Sequence, residues 1–416
     1  MRSGTNSVSE AQVCERRIWE RLGELGEIGR LGDTGVSRAA FSAEDIEAKR
    51  LLLDWCAPLG VRTCHDAIGN LFIRYEPPGS SGPAVMTGSH LDSQPTGGRF
   101  DGAYGVVAAL EVVEILSRAG AVTRRPVEIV AWSNEEGSRF APGAMGSQYF
   151  AGTKELEAFL DVTDRDGDRL EDALAHTLTA IPEVPVVVRH QPPAAYVEAH
   201  IEQGPVLEER GDIIGVVEGI YGCVWVEYEI VGRAAHAGTT PLPLRRDALR
   251  AAVRLIQELD AKCREISPDC RFTVGCIEVE PGTPNTIPGL ARFTVDLRDA
   301  DPGSFERMKH LLLSGEPPGG FRAEAKILFE SAPQRFSERV VDAVSMAATR
   351  HALPSIRMMS GAFHDALFLA RICDTGMVFV PSKGGVSHHP DEYSSPENLA
   401  AGAKVLADVV SRLADS

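Results

Sequence analysis

The chain has 416 residues, of which 44% are hydrophobic and 24% are charged, a balance typical of a soluble globular protein long enough for two domains. The formal net charge of -17 disfavours a nucleic-acid surface or an anionic membrane as a partner. No apolar stretch approaches the length of a membrane-spanning helix, and the first 30 residues lack the apolar run of a secretion signal. The eight cysteines form no C-x-x-C pair, so we expect reduced thiols and a cytoplasmic protein.

The predicted elements of the first part of the chain alternate between strand and helix. The segments 84–90 and 127–132 are short apolar runs that predict buried strands. Between them, 105–120 predicts an amphipathic helix with Glu111 and Glu114 on its polar face. A strand, a helix and a strand at this spacing form a βαβ unit, which predicts an α/β fold with a mixed, largely parallel sheet covered by helices.

The hydrophobic pattern changes after about residue 217. The next predicted elements are a half-exposed strand, a helix and two strands, at 224–238, 246–266, 271–280 and 290–300. This set predicts an inserted α+β domain at 217–330 with a small core of its own. The larger domain is then split into two segments, 1–216 and 331–416.

Histidine and carboxylate side chains occur where predicted strands end. The residues concerned are His90, Glu135, Glu136, His200, His388 and His389, together with Asp101 on a glycine-rich loop before a helix. In open α/β sheets ligands bind beyond the carboxyl ends of the strands, so we expect these side chains to converge. Imidazole and carboxylate without thiolate suit Zn²⁺, Mn²⁺, Co²⁺ or Ni²⁺. Two such ions bridged by one carboxylate activate water for hydrolysis, and a cation would offset the repulsion between the adjacent glutamates.

Each of these residues has a structural explanation when it is taken alone. Asp101 is explained as a helix N-cap, and a single histidine after a strand is more often structural than catalytic. Asp92 is explained by a turn, although we expect it to accept the ring N–H of His90 that does not face a metal. The joint placement favours a metal site. The sequence contains no G-x-G-x-x-G, Walker A or G-x-S-x-G motif, which argues against a phosphate loop or a serine hydrolase.

In this order, the motifs resemble those of the M20 clan of metal-dependent amidohydrolases. Within the clan the resemblance is to the hydantoinase/carbamoylase branch, which includes N-carbamoyl-L-amino-acid hydrolases and allantoate amidohydrolases. It extends over nearly the whole chain, through GSHLDSQPTGGRFDG, NEEGSRF, HIEQGPVLE, GRAAHAGTTPLPLRRDA, PNTIPG, SGAFHDA and GVSHHPDE. HIEQG is the sharper marker, because many peptidase relatives have an acidic residue in place of His200.

The resemblance implies a dinuclear metal centre and the residues that hold it. Asp101 would bridge two ions, and the remaining ligands would be His90, His200, Glu136 and His388. Glu135 would be the general base; which glutamate is the base and which the ligand rests on the resemblance alone. His388 is taken as the ligand from the alignment of the SH pair, with its neighbour His389 as the alternative. His236 in the inserted domain would stabilise the oxyanion across a homodimer.

The resemblance also implies which residues contact the substrate. Asn285 and Arg298 of the inserted domain would hold it, with Arg298 paired bidentately to a carboxylate. The alternative for Arg298 is an ion pair with Asp296 or Asp299. Further contacts would come from Gln203, Gly361 and His364. Arg99, beside the metal loop, has no role in this scheme.

The implied reaction is hydrolysis of the carbamoyl C–N bond of an N-carbamoyl-L-amino acid to amino acid, carbon dioxide and ammonia. Allantoate or ureidoglycolate is the alternative substrate, since the branch shares its metal motifs. An aminoacylase or dipeptidase of the same clan fits HIEQG less well. A non-catalytic binding protein on this fold would be expected to lack a ligand or the base, and here every expected position is filled. The expected partners are a small carboxylate substrate and a second copy of the chain.

Overall fold

A computed structural model of the protein describes residues 13–188 and 191–416. The helices are α1 Glu15–Glu27, α2 Ala43–Cys56, α3 Ala103–Arg118, α4 Met145–Phe150, α5 Glu157–Leu160, α6 Leu170–Ala180, α7 Val206–Arg210, α8 Ala248–Ile266, α9 Pro302–Ser314, α10 Glu338–Arg350, α11 Ala366–Leu369 and α12 Pro396–Ala414. The strands are β1 Arg30–Leu31, β2 Gly35–Val36, β3 Arg62–His65, β4 Leu71–Tyr75, β5 Val85–His90, β6 Val127–Trp132, β7 Ala195–Ile201, β8 Ile214–Ile220, β9 Gly222–Val231, β10 Ala235–His236, β11 Arg271–Glu280, β12 Thr286–Ile287, β13 Leu290–Asp299, β14 Ala323–Ser331, β15 Gln334–Arg335, β16 Ser355–Ser360 and β17 Asp374–Val380. Of the helices in the described part of the chain, none has both the length and the apolar composition needed to cross a membrane.

The chain folds into two compact units. The smaller unit is Gly219–Gln334, and the larger unit consists of the described residues up to Glu218 together with Arg335–Ser416. The boundaries expected from the sequence, 217 and 330, differ from these by two and four residues. The larger unit therefore contains a sheet whose strands come from both sides of the inserted segment.

The larger unit is built on a nine-stranded sheet with the order β15-β8-β17-β7-β5-β6-β4-β3, in which β16 also pairs with β8. The central strands β17, β7, β5 and β6 run parallel, whereas β8, β4 and β3 are joined by antiparallel pairings. The prediction of a mixed sheet covered by helices is confirmed, and its parallel part is the central four strands. Their carboxyl ends lie at one edge of the sheet, where ligands bind in open α/β folds.

The central strands are buried on both faces. Every residue of β5, β6 and β7 is buried, because helices such as α3, α11 and α12 pack against the sheet. Strands covered in this way have near-continuous apolar sequences, and a polar residue within them needs a partner. The polar residues of β7, Glu198 and His200, are therefore exceptions that call for a chemical explanation.

The polar face of helix α3 is buried, although an amphipathic pattern usually places such a face in solvent. Its polar face is covered by α1, and the side chains of Glu111 and Glu114 are 0% and 1% exposed. Arg17 donates to both carboxylate oxygens of Glu111 at 2.6 and 2.7 Å, and Arg21 donates to Glu114 at 2.6 Å. The polar stripe of α3 is thus a buried ion-pair interface, because the arginines of α1 neutralise it.

Replacing Glu111 with Ala is expected to lower the free energy of unfolding by about 3 kcal/mol, the lower end of the range for breaking one side of a buried ion pair, since Arg17 keeps some contact with water. Urea denaturation followed by circular dichroism measures the change. Glu20 provides the matched control, because it pairs with Arg16 on the exposed side of α1 at 3.7 Å. Glu20→Ala should change stability little; equal losses in both variants would contradict the burial argument.

In the smaller unit, helices cover only one face of a β-sheet. Its four antiparallel strands have the order β11-β13-β9-β14, and α8 and α9 pack on one face. Alternate residues of β9 point to the helices and are buried: Val224, Val226, Tyr228 and Ile230. The opposite face, called the outer face below, carries Trp225 of β9 and Arg298 of β13. A separate two-stranded pair, β10 with β12, belongs to the same unit.

Candidate active site and metal ligands

The predicted ligands follow the carboxyl ends of the four parallel strands. His90 is the last residue of β5, and His200 is the next-to-last residue of β7. Glu135 and Glu136 lie in the loop after β6, and His388 lies in the loop after β17. The sheet thus brings together side chains that are far apart in the sequence, as its topology requires.

Asp101 lies at the centre of this group. Its Oδ1 is 3.6 Å from Nε2 of His90 and 3.2 Å from Nε2 of His200. Its Oδ2 is 3.3 Å from Nε2 of His388, which is itself 3.6 Å from Oε2 of Glu136. Each oxygen of the Asp101 carboxylate therefore faces a different set of side chains.

These side chains form two sets that could each hold a metal ion. One set is His90, Asp101 and His200, and the other is Asp101, Glu136 and His388; within each set the ligand atoms lie within 4.8 Å of one another. Both sets combine imidazole with carboxylate, the donors preferred by zinc and neighbouring transition metals. Asp101 is common to both.

The rings of His90 and His200 have the orientation that is typical of metal-binding histidines. In each ring, Nδ1 donates to a backbone carbonyl at 2.9 Å, that of Asp92 for His90 and that of Ile201 for His200. Nε2 of each ring is then the atom that faces Asp101. A hydrogen bond at the far nitrogen is the usual way in which proteins fix the tautomer of a metal-binding histidine.

The electrostatics of the cluster favour a bound cation. Burial, together with the charge of Asp101, raises the pKa of Glu136 to about 7. Burial alone would lower the pKa of His90, but Glu135, Asp101 and Asp92 raise it well above its ordinary value. The buried carboxylates therefore need positive charge beside them, which a divalent cation supplies without protonating the histidines.

Asp92 holds the two glutamates through their backbone. Its carboxylate accepts the backbone N–H groups of Glu135 and Glu136, each at 3.2 Å. The sequence suggested that Asp92 accepts the ring N–H of His90; the acceptor is its backbone carbonyl, and the carboxylate is 3.8 Å from Nδ1. Asp92 thus links the ends of β5 and β6.

The two glutamates occupy different positions. Glu136 accepts from Gln94 Nε2 at 2.7 Å and belongs to the second ligand set. Glu135 is 8% exposed, its Oε2 is 3.5 Å from Nε2 of His90, and it belongs to neither of the two sets. Burial raises the pKa of Glu135 well above its usual value. Glu135 is therefore a buried carboxylate that lies beside the two sets but outside both of them.

The two adjacent histidines are also separated by the structure. His388 faces Asp101 and Glu136, and its backbone has φ +56°, a left-handed conformation that is strained for a residue other than glycine. The His389 side chain is 60% exposed, and its Nδ1 accepts from the backbone of Asp391. His388 thus faces the cluster, whereas His389 faces solvent.

Two of the predicted substrate-binding residues lie beside the ligands. Gln203 donates from Nε2 to Oδ2 of Asp101 at 2.8 Å. His364 is buried, with its ring centre 4.5 Å from that of His200 and its Nε2 3.1 Å from Ser360 Oγ. Burial, together with the charge of His200, lowers the pKa of His364 well below its usual value. Gly361 lies between Ser360 and His364 in the same loop.

Glu392 is a residue of this site that sequence reasoning missed. Its Oε1 accepts the backbone N–H groups of Phe100 and Asp101, both at 3.0 Å, and its Oε2 is 2.8 Å from Ser387 Oγ. Burial and the nearby charge of Asp101 raise its pKa to about 7. Glu392 fixes the loop that carries Asp101. The only feature of the sequence that could have pointed to Glu392 is its position four residues after His388.

Glu198 is a second residue that was missed. It lies two residues before His200 and therefore on the same face of β7. Its carboxylate accepts from Ser89 Oγ at 2.7 Å, from the hydroxyl of Tyr196 at 3.1 Å and from the backbone of Ala366 at 3.3 Å. These contacts tie β7 to β5 and α11 behind the ligands.

The inserted unit brings His236 and Asn285 together. His236 pairs with Thr286 in the β10–β12 ladder, and Asn285 is the residue just before Thr286. Nδ1 of His236 accepts the backbone N–H groups of Gly238 and Thr239 at 3.1 and 3.2 Å. In a neutral ring with this acceptor at Nδ1, the hydrogen is on Nε2, so Nε2 is the donor.

The structure shows the contacts of two arginines, Arg298 and Arg99, whose partners the sequence did not determine. Arg298 donates from Nε and Nη2 to Asp296 at 3.0 and 2.8 Å, which is one of the two ion pairs considered for it. Arg99 donates from Nη2 to the backbone carbonyl of Asp33 at 2.9 Å. Arg99 therefore holds the loop before β2.

Residues 86–412 match the model of Peptidase family M20/M25/M40. The chain is 41% identical over 403 residues to an N-carbamoyl-L-amino acid amidohydrolase of Geobacillus stearothermophilus, covering 96% of this chain and 98% of that protein. It is 33% identical over 428 residues to a ureidoglycolate hydrolase of Oryza sativa subsp. japonica, covering 99% and 87%. A crystal structure of a hydantoinase/carbamoylase family amidase from Burkholderia multivorans superposes with a TM-score of 0.91 at 38% identity, covering 98% and 99%.

The fold, the ligand sets and these similarities define a hydrolase. The chain belongs to the M20/M25/M40 peptidase family and, within it, to the hydantoinase/carbamoylase branch. The resemblance drawn from the motifs is confirmed.

Proposed function

We propose that this hydrolase is a dinuclear-metal amidohydrolase that cleaves the carbamoyl C–N bond of an N-carbamoyl-L-amino acid. Water is consumed, and the products are the free amino acid, carbon dioxide and ammonia. The observation that carries the proposal is the position of Asp101, which presents one oxygen to each of two ligand sets while the buried Glu135 lies outside both.

Two divalent ions would be held at this cluster. His90, Asp101 and His200 would hold one, and Asp101, Glu136 and His388 the other. Zn²⁺ or Mn²⁺ suits these donors, as do Co²⁺ and Ni²⁺. When bound, such ions polarise the carbonyl group and lower the pKa of water so that hydroxide is available near neutral pH.

The side chains of the chain perform the proton transfers and hold the developing charge. Glu135 takes a proton from the attacking water and delivers it to the leaving nitrogen. Burial raises the pKa of Glu135, which makes its carboxylate a stronger base in the first of these steps. His236 donates from Nε2 to the oxyanion, with Asn285 immediately before the strand that pairs with it. In this proposal His236 of one copy serves the site of a second copy, which requires a homodimer formed through the inserted unit.

Substrate recognition in this proposal uses a carboxylate. Arg298 pairs with it, since a guanidinium matches the planar geometry of a carboxylate. Gln203, Gly361 and His364 contact the remainder of the substrate, and the bond from Gln203 to Asp101 ties this contact to the ligands. The higher identity to the carbamoyl-amino-acid hydrolase, 41% against 33% for the ureidoglycolate hydrolase, supports the choice of substrate.

Three other functions have less support from the structure and the comparisons. Allantoate or ureidoglycolate hydrolysis uses the same ligands and remains the second candidate, supported by the ureidoglycolate hydrolase relative. An aminoacylase or dipeptidase is disfavoured by His200 in the HIEQG motif. A non-catalytic binding protein is disfavoured because both ligand sets and the base are filled.

A substrate panel with defined metals tests the proposal. The protein is stripped with a chelator and reloaded with Mn²⁺, Zn²⁺, Co²⁺ or Ni²⁺. Product release is then measured from N-carbamoyl-L-methionine, its D enantiomer, allantoate, ureidoglycolate and N-acetyl-L-methionine. We expect the L-carbamoyl substrate to give a kcat/KM at least about tenfold above the others, and the stripped protein to be inactive. Preference for allantoate or ureidoglycolate would transfer the assignment to the second candidate, and no turnover with any metal would refute an amidohydrolase.

A further inference from the structure

One carboxylate on the outer face of the smaller unit accepts hydrogen bonds from three side chains. Asp296 of β13 accepts from Arg298 Nη2 at 2.8 Å and from Trp225 Nε1 at 3.0 Å, both at Oδ2. Its Oδ1 accepts from Arg298 Nε at 3.0 Å and lies 3.7 Å from Cys223 Sγ. A surface carboxylate with this many donors is held in a single orientation, and it holds its donors in turn.

The strand register makes this arrangement rigid. Asp296 lies directly opposite Trp225, and Arg298 lies directly opposite Cys223, in the ladder between β13 and β9. These are the two inner strands of the four-stranded sheet, with helices packed on the opposite face. Side chains on such strands keep their spacing better than side chains on loops.

The indole of Trp225 gives this face an apolar surface beside a cation. Trp225 is 43% exposed, and its ring centre is 5.0 Å from that of Phe329 on the neighbouring strand. Because Trp225 Nε1 and Arg298 Nη2 bond to the same oxygen of Asp296, the two nitrogens are less than about 6 Å apart. The guanidinium and the aromatic pair are therefore neighbours.

We propose that Asp296 is a positioning residue that holds Arg298 and Trp225 as one recognition element, for a carboxylate with an apolar substituent on the adjacent carbon. The proposal rests on the carboxylate-binding role of Arg298 under the proposed function. Asp296 contacts two of the five guanidinium N–H donors, which fixes the plane of the group. The substrate class that fits is an N-carbamoyl α-amino acid with an apolar side chain. Ureidoglycolate, with a hydroxyl group on that carbon, gains nothing from the aromatic pair.

The first test separates positioning from stability. In Asp296→Ala and the isosteric Asp296→Asn, we expect KM for N-carbamoyl-L-methionine to rise by about tenfold or more, with kcat changed less than about threefold, because the loosened guanidinium binds the carboxylate poorly. The matched control is Glu229→Gln, since Glu229 pairs with Arg292 at 2.7 Å across the same two strands and on the same face. KM should be unchanged in the control. An unchanged KM in folded Asp296→Asn, or an equal rise in the control, would overturn the proposal.

The second test concerns the apolar substituent. Trp225→Ala should lower kcat/KM for N-carbamoyl-L-methionine by about tenfold relative to N-carbamoylglycine, which has no side chain to contact. Trp225→Phe keeps an aromatic ring and should keep most of the preference. An equal loss on both substrates, or no loss on either, would overturn the role of Trp225. If the wild-type protein hydrolyses none of the ureido substrates, the proposed function itself fails; if it does and the variants match it, only this inference fails.

Discussion

Replacing Glu135 with Gln is expected to reduce kcat by about 10²- to 10⁴-fold, the usual contribution of a general acid–base group, while metal content stays close to that of the wild type. Gln has the size of Glu but cannot take a proton from water at neutral pH. Glu135 belongs to neither of the two ligand sets that share Asp101, and its backbone is held by Asp92. The substitution should therefore remove the base and leave the ligands in place.

Glu136→Gln is the matched comparison, because the two residues are adjacent and Asp92 holds the backbone of both. This variant should lose metal, measured by elemental analysis after dialysis, and should lose activity in proportion. If Glu135→Gln lost metal while Glu136→Gln kept it, the two roles would have to be exchanged. Equal metal loss in both would show that Glu135 is a ligand and not a free base.

Replacing His388 with Ala is expected to weaken metal binding by more than about 100-fold, since even the hydrogen-bond partner of a metal ligand contributes 10- to 100-fold. His388 faces Asp101 and Glu136 in the second ligand set. Under the proposed function the loss should affect one of the two ions, so the metal content should fall from two equivalents towards one. Titration of the stripped protein with Mn²⁺ or Zn²⁺, followed calorimetrically, measures it.

The adjacent histidine provides the control in the same loop. His389→Ala removes an exposed side chain whose Nδ1 bonds to the backbone of Asp391. Metal content and activity should stay near those of the wild type. If His389→Ala lost metal and His388→Ala kept it, the structural distinction between the two residues would be refuted.

The convergence of the ligands could be predicted from the sequence because it follows from sheet topology. Short apolar runs identified the strands, and a parallel arrangement places their carboxyl ends at one edge. His90 and His200 end up within 3.6 Å of Asp101 for this reason. The separate roles proposed for Glu135 and Glu136 rest on the family resemblance, since two adjacent residues after one strand have equivalent positions in the pattern.

The contacts between distant segments could not be predicted in this way. A helical pattern shows that Glu111 and Glu114 share a face with polar character, but only the position of α1, more than 90 residues earlier, shows that arginines cover it. The same applies to Glu392, whose partners Phe100 and Asp101 lie about 290 residues away. Periodicity describes an element, whereas such contacts depend on which elements pack together.

The bond from Glu392 to the Asp101 loop has a consequence for the order of folding. The loop lies in the first segment of the larger unit, and the carboxylate that fixes it lies in the second segment, beyond the inserted unit. His388, a member of the second ligand set, also lies in that segment. During synthesis the first segment and the whole insertion emerge from the ribosome before either residue exists. Because His90, Asp101 and His200 all lie in the first segment, only the second of the two proposed metal sites depends on the second segment. That site is therefore completed late in synthesis.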